Sequence, residues 1–256
     1  MAIKQSALVL IYPNFNSLET TGPLEVFFNT GISATIAAAT DLTTSQENVT
    51  LQRAISLDDA QAHLSDYDIL VVPGSRSRNI LPYLPQPPQP PQPIQTLSPP
   101  ADSTDGDNDD TEHAFSALLD LIETFASLPP RPGTTERAIL SGTLGAYLLG
   151  AAGVLDGRVA TTHRLVLGTL RQVCADAQRG RQPTGCRGTE VVPRSYSAKE
   201  TRWYVDAGCN EAGVRVFTVC GPSAVIDATL YLMSLWRGRL VAEEAAMFLG
   251  HTWREI

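Results

Sequence analysis

The chain has 256 residues, of which 43% are apolar, and a formal net charge of −8. That length and composition suit one α/β domain with a large core and room for insertions. The acidic balance argues against a nucleic-acid surface, which needs basic patches to neutralise phosphates, and no run approaches the ~20 apolar residues of a membrane span.

Ala7–Tyr12 (ALVLIY) reads as a first buried strand. It is too short for a secretory signal, so a cytoplasmic protein is expected. Pro23–Asn29 reads as a short helix with Pro23 in its first turn. Ala34–Ala39 is a second strand, and Ser56–Leu64 a loop with a short helix. Asp68–Val72 (DILVV) is a third strand, ending in Pro73-Gly74-Ser75. His113–Leu128 has helical spacing through Phe115, Leu118, Leu119, Ile122 and Phe125. Arg137–Leu140 is a fourth strand, and Leu144–Ala152 a helix stopped by Gly153. Val214–Val219 is a further strand, followed by a long apolar helix over Ala224–Trp236. Such alternation predicts an α/β, flavodoxin-like three-layer sandwich with a mostly parallel central sheet.

Residues 84–112 break the pattern. Pro85–Pro93 reads PQPPQPPQP, and an acidic stretch from Asp102 to Glu112 follows without a Lys or Arg. The whole stretch is expected to be a disordered insertion within a single domain over 1–256. A second loop insertion is expected over 177–198, which holds Gly, Pro, Arg and Ser without clear periodicity. Cys174, Cys186, Cys209 and Cys220 form no CxxC pair, so neither a zinc site nor a disulfide framework is expected. No Walker loop and no GxGxxG after a strand occurs, so no cofactor is expected.

In open α/β sheets ligands bind beyond the carboxyl ends of the strands. Three segments should meet there: Asn16–Pro23, Pro73-Gly74-Ser75, and Ser141-Gly142-Thr143-Leu144-Gly145. The last is a strand-to-helix turn that exposes its apex residue and aims free N–H groups at a ligand. Gly142 and Gly145 would allow a strained backbone at that apex.

With these segments in order, the chain resembles the ThiJ/PfpI superfamily, also described as class I glutamine amidotransferase-like, and most closely its isocyanide hydratase-like branch. The resemblance rests on LETTGPLEVF at 18–27, DILVVPGS at 68–75, LGAYLLGAAGVLDGRVATTH at 144–163, TRWYVDAG at 201–208 and VCGPSAVIDATLYLM at 219–233. It implies a homodimer and a site in which an acid stands beside an elbow cysteine. Glu19 matches the acid, and Thr143 stands where the family has the cysteine. Ser75 replaces the second glycine of the family's Pro-Gly-Gly. His163 lies where several members place a histidine, and Cys220 falls in the turn that borders the pocket.

Several chemistries follow. A threonine hydroxyl attacks only with an adjacent base or a metal, and Glu19 and His163 are the candidate bases. Alternatively Glu19 moves a proton as general acid or base while the Ser75 and Leu144 N–H groups stabilise an oxyanion and Thr143 orients substrate. That suits a lyase, hydratase or cyclase of small-molecule, specialised metabolism. Cys220 is a third candidate, as a substitute thiol, against its reading as a buried strand-end residue. Loss of the thiol also suits a catalytically silent binding or regulatory protein. Some relatives carry this domain ahead of a helix-turn-helix pair, which the sequence ending at Ile256 is read as lacking. Deglycase, glyoxalase or chaperone-like activity ranks last, because those chemistries lean on the elbow thiol.

Overall fold

Successive residues of a strand point to opposite faces of its sheet, and in this chain both sets are apolar. In β1 (Ser6–Leu10), Ala7 and Val9 enter one core while Leu8 and Leu10 enter the other. All four are fully buried. A sheet covered on both faces requires this, which is why its strands read as continuous apolar runs. The computed structural model describes residues 4–85, 106–181, 188–193 and 203–254.

After β1 come α1 (Ser17–Thr30), β2 (Ser33–Ala38), a hairpin of β3 (Leu42–Thr44) and β4 (Thr50–Gln52), β5 (Ile55–Ser56), α2 (Leu57–Ala62), β6 (Ile69–Val72) and α3 (Ser77–Ile80). Then follow α4 (Gly106–Ser127), β7 (Arg137–Ser141), α5 (Gly145–Ala151), β8 (Val159–Ala160), α6 (Leu167–Gly180), β9 (Glu190–Val191), β10 (Tyr204–Cys209), β11 (Val214–Val219), α7 (Ala224–Arg237) and α8 (Arg239–Phe248). The main sheet runs β10-β11-β7-β6-β1-β2-β5. Its pairs are parallel except for β10, which lies antiparallel to β11 at one edge. Residues of α2, α4, α5 and α6 fill the core on one face; α1, α7 and α8 fill the other. The expected flavodoxin-like, three-layer α/β architecture is the one observed. No helix among the described residues is long and apolar enough to cross a membrane.

Several boundaries differ from expectation. Helix α1 begins at Ser17, not Pro23, because Asn16 caps it: the Asn16 side chain accepts the Glu19 N–H at 3.0 Å. Pro23 therefore lies inside the helix, where it removes the hydrogen bond that the Glu19 carbonyl would accept. Helix α4 starts at Gly106 instead of His113, so the acidic end of the expected 84–112 insertion is helical. Residues 86–105 of that insertion lie outside the described residues. Helix α6 runs to Gly180, into the expected 177–198 insertion, and β9 pairs with β8 within it. Residues 182–187, which include Cys186, and 194–202 lie outside the described residues. The β3–β4 hairpin, α6 and α8 had no expectation attached. The hairpin's strands are three residues each, too short to show a period.

Candidate functional site

Parallel strands finish on one edge of a sheet, and β1, β6 and β7 are consecutive neighbours there. The turns that follow them are therefore driven together. The Asn16 N–H donates to the Gly74 carbonyl at 2.8 Å, and the Gly142 N–H to the Val72 carbonyl at 2.8 Å. These two bonds fasten the turn after β6 to the turns on either side of it.

Glu19 sits in the first turn of α1 with a side chain that is 0% exposed. Its Oε1 accepts the Thr143 hydroxyl at 2.6 Å, and its Oε2 accepts the Gly74 N–H at 2.6 Å. The two donors come from the turns after β7 and β6, so one carboxyl gathers all three segments. Thr143, itself 6% exposed, is held from behind: the Thr162 hydroxyl donates to its carbonyl at 2.7 Å. The Tyr12 hydroxyl closes the other side by donating to the Pro73 carbonyl at 2.6 Å.

The glycines explain how a carboxyl fits here. A Cβ on Gly142 would stand 2.0 Å from Glu19 Oε2, and one on Gly74 would stand 2.8 Å from the same oxygen and 2.7 Å from the Leu144 nitrogen. The Glu19 carboxyl fills the space that two side chains would otherwise take. A Cβ on Gly145 would meet the Val72 carbonyl at 2.3 Å. None of these glycines has a positive φ, and neither does Thr143. The expected strained apex is thus absent, and the glycines serve close approach instead of unusual backbone angles.

Burial pushes the Glu19 carboxyl above its ordinary pKa; the Thr143 hydroxyl and the Gly74 N–H pull against that, and the nearby Glu47 charge adds to the rise. Tyr12 is pushed well up by burial and then by the Glu19 charge, so it remains a neutral donor.

The remaining predicted residues divide. The Ser75 hydroxyl donates to the Asn14 carbonyl and accepts from Asn79 Nδ2 at 3.0 Å, which commits its side chain to the loop. Its N–H and that of Leu144 have no acceptor among the described residues. Leu144 is the N-cap of α5. Cys220 is 9% exposed. It leaves β11 level with Thr143 leaving β7, since Thr218 is registered against Ser141. The half-buried His163 takes a long 3.4 Å bond from the Leu165 N–H and has none to Thr143 or Glu19. Its neighbour Thr162 makes the contact with the elbow instead.

Sequence reasoning passed over Asn16, Tyr12 and Thr162. Asn16 carried a signal, an Asn placed three residues before an acid at a helix start. Thr162 lies within the ATTH segment already noted, where only the histidine was singled out. Nothing in the sequence marks Tyr12 beyond its place at a strand end. Among the described residues no group of His, Cys, Asp and Glu is arranged to hold a metal ion.

The fold is the α/β architecture also seen in solved structures of DJ-1 and ThiJ/PfpI proteins. Drosophila melanogaster DJ-1beta superposes with a TM-score of 0.63 at 15% identity, over 98% of this chain and 100% of that one. A ThiJ/PfpI family protein from Pseudomonas syringae superposes at 0.62 and 17% identity, over 98% of this chain and 77% of that one. An AraC family transcriptional regulator from Pseudomonas putida superposes at 0.60 and 16% identity, over 96% and 100%. At such identities the likeness is one of fold. No family model matches the sequence, and no curated protein matches it.

Proposed function

We propose that this chain is a small-molecule enzyme of the lyase, hydratase or cyclase type, in which Glu19 acts as general acid and base without a cysteine nucleophile. The observation that carries the reading is the 2.6 Å hydrogen bond between the Thr143 hydroxyl and a fully buried Glu19. Burial raises the carboxyl's pKa above its ordinary value, the direction that suits a carboxyl to general acid-base work. Because the carboxyl has no exposed surface of its own, in this reading the proton passes through the hydroxyl of Thr143, which is bonded to the carboxyl and is itself 6% exposed. The Ser75 and Leu144 N–H groups, unspent within the described residues, suit a developing oxyanion. We assign the chain to the isocyanide hydratase-like branch, with Thr143 in place of its cysteine, acting in the cytoplasm as a homodimer in specialised metabolism.

A small isocyanide is the first substrate to offer. Its hydration adds one water across the terminal carbon and nitrogen and gives an N-substituted formamide, with Glu19 supplying and recovering a proton. The Glu19→Gln variant should lose turnover of whichever substrate the wild type accepts. Thr143→Ala should only slow it, because a water can occupy the hydroxyl's place. Full turnover in Glu19→Gln would end this reading. A silent binding or regulatory protein is the second reading, favoured by the complete burial of Glu19. Ligand binding without turnover across a broad panel of small electrophiles would favour it.

A further inference from the structure

In this acidic chain ten of the fourteen arginines that the structure describes are engaged. Arg131 pairs with Asp68, Arg181 with Asp156, Arg215 with Glu136 and Asp206, and Arg254 with Asp227. Arg137 and Arg158 donate to backbone carbonyls. Arg76, Arg78, Arg164 and Arg237 differ: none has an acceptor among the described residues. Arg237 ends α7, where a cation suits the helix C-terminus. Arg76, Arg78 and Arg164 follow the turns of the site.

Arg76 comes directly after Ser75, and Arg164 directly after His163. Gly74, whose N–H holds the Glu19 carboxyl, is two positions from Arg76. Thr162, whose hydroxyl holds the Thr143 carbonyl, is two positions from Arg164. With consecutive Cα atoms ~3.8 Å apart, each arginine is rooted within about 8 Å of a residue touching the Glu19–Thr143 pair. Both side chains are exposed. Glu47 is also nearby, yet its carboxylate is occupied by the Ser17 N–H and the Gln46 amide, not by either arginine. Two exposed arginines without an acceptor among the described residues are thus rooted near a buried acid.

We propose that Arg76 and Arg164 form an anion-recognising rim, and that the substrate carries a carboxylate or phosphate group which they hold while its reacting atom enters beside Thr143. Guanidinium groups suit this task, because their planar fork matches both oxyanions and never loses its charge. Recognition at the rim also offsets the repulsion that an ionised Glu19 exerts on an incoming anion. The inference rests on the acid-base reading only for where the reacting atom lies.

The test titrates the full chain with paired probes followed by ligand-observed NMR at low salt. Benzoate is compared with benzamide, and phenyl phosphate with phenol. The wild type should bind at least one anion and show no comparable signal with its neutral partner. The anion that binds says which oxyanion the rim takes. The double variant Arg76→Gln/Arg164→Gln should weaken that binding roughly tenfold, as for two partly exposed ion pairs. Arg237→Gln should leave it unchanged. Equal binding in the double variant, equal binding of the neutral probes, equal weakening in Arg237→Gln, or no binding of either anion would each overturn the proposal. Glu19→Gln separates the two readings: retained turnover there removes the acid-base role alone, whereas anion binding is read without turnover.

Discussion

The Thr143 hydroxyl donates to a Glu19 carboxyl that burial has made a weaker acid than usual. The two residues are far apart in sequence and come from different strand-to-helix connections. Their contact is a product of topology, since β1 and β7 flank β6 and all three end on one edge. The bond couples the charge of one group to the presence of the other.

Removing the hydroxyl while keeping the shape should therefore cost stability. Thr143→Val leaves Glu19 Oε1 without its donor, because the added methyl fills the place that a water would need. A lost hydrogen bond to a charged buried group is worth about 1–3 kcal/mol. Thr143→Ser keeps the donor and should lose under about 1 kcal/mol. Urea unfolding at neutral pH would measure both.

The pH dependence of stability has a definite sign. A carboxyl whose folded pKa lies above its unfolded value binds its proton more tightly when folded. Its contribution is fully present below the unfolded pKa and is lost as pH rises through the folded one. Glu136 and Glu47 are lowered instead, Glu136 by the Arg215 and Trp236 bonds and Glu47 by the Ser17 and Gln46 bonds outweighing burial, so their contributions are lost on acidification. Comparison with Glu19→Gln cancels those terms. The wild type should lose thermal stability relative to Glu19→Gln as pH is raised from the ordinary glutamate range toward neutrality. The glutamine can keep its oxygen toward the Gly74 N–H while its amide donates to a rotated Thr143 hydroxyl. Melting curves of both proteins across that interval would show the divergence.

Gly142→Ala should be far more damaging than its size suggests. The new Cβ would lie 2.0 Å from a Glu19 oxygen and 2.8 Å from the Gly74 nitrogen, so carboxyl or backbone must move. A loss of roughly 3 kcal/mol or more is expected. Gly168→Ala on α6 meets nothing within 4 Å and should change stability by no more than about 1 kcal/mol. Chemical denaturation of the pair separates crowding from a general effect of filling glycine positions.

A second buried acid serves as a structural tie. Asp227 on α7 is fully buried and accepts from the Arg254 side chain, from the Arg254 N–H at 2.9 Å and from His251 Nε2 at 2.9 Å. Arg254 also stacks on the Trp203 ring at 4.0 Å. Asp227→Ala removes the anchor of the residues after α8. Because both partners are partly exposed, the loss should fall near 2–3 kcal/mol, below that of a fully enclosed pair. Denaturation together with earlier proteolytic cleavage after Phe248 would reveal it.

Much of this fold was legible in the sequence because the central strands are buried on both faces. Residues Asp68–Val72 and Val214–Val219 read as strands from composition alone, and the structure places β6 and β11 there. The start of α1 was misread because Pro23 looked like a first-turn residue, while the real cap is a side-chain bond from Asn16. Glu19 and Thr143 were each legible from their turns and from the family resemblance. Their direct bond was not, because it depends on the order of strands across the sheet. Nor was the glycine cradle: Gly74 and Gly142 looked like turn residues, yet what they provide is room for a carboxyl.

The central claim is that Glu19 holds an exchangeable proton in a closed cradle shared with Thr143. A carbon-13 NMR titration of the Glu19 side-chain carboxyl tests it most directly, with Glu19→Gln assigning the signal. The account predicts a midpoint above the ordinary glutamate value in the wild type, rising further in Thr143→Val. A midpoint at or below the ordinary value, unmoved by Thr143→Val, would contradict it.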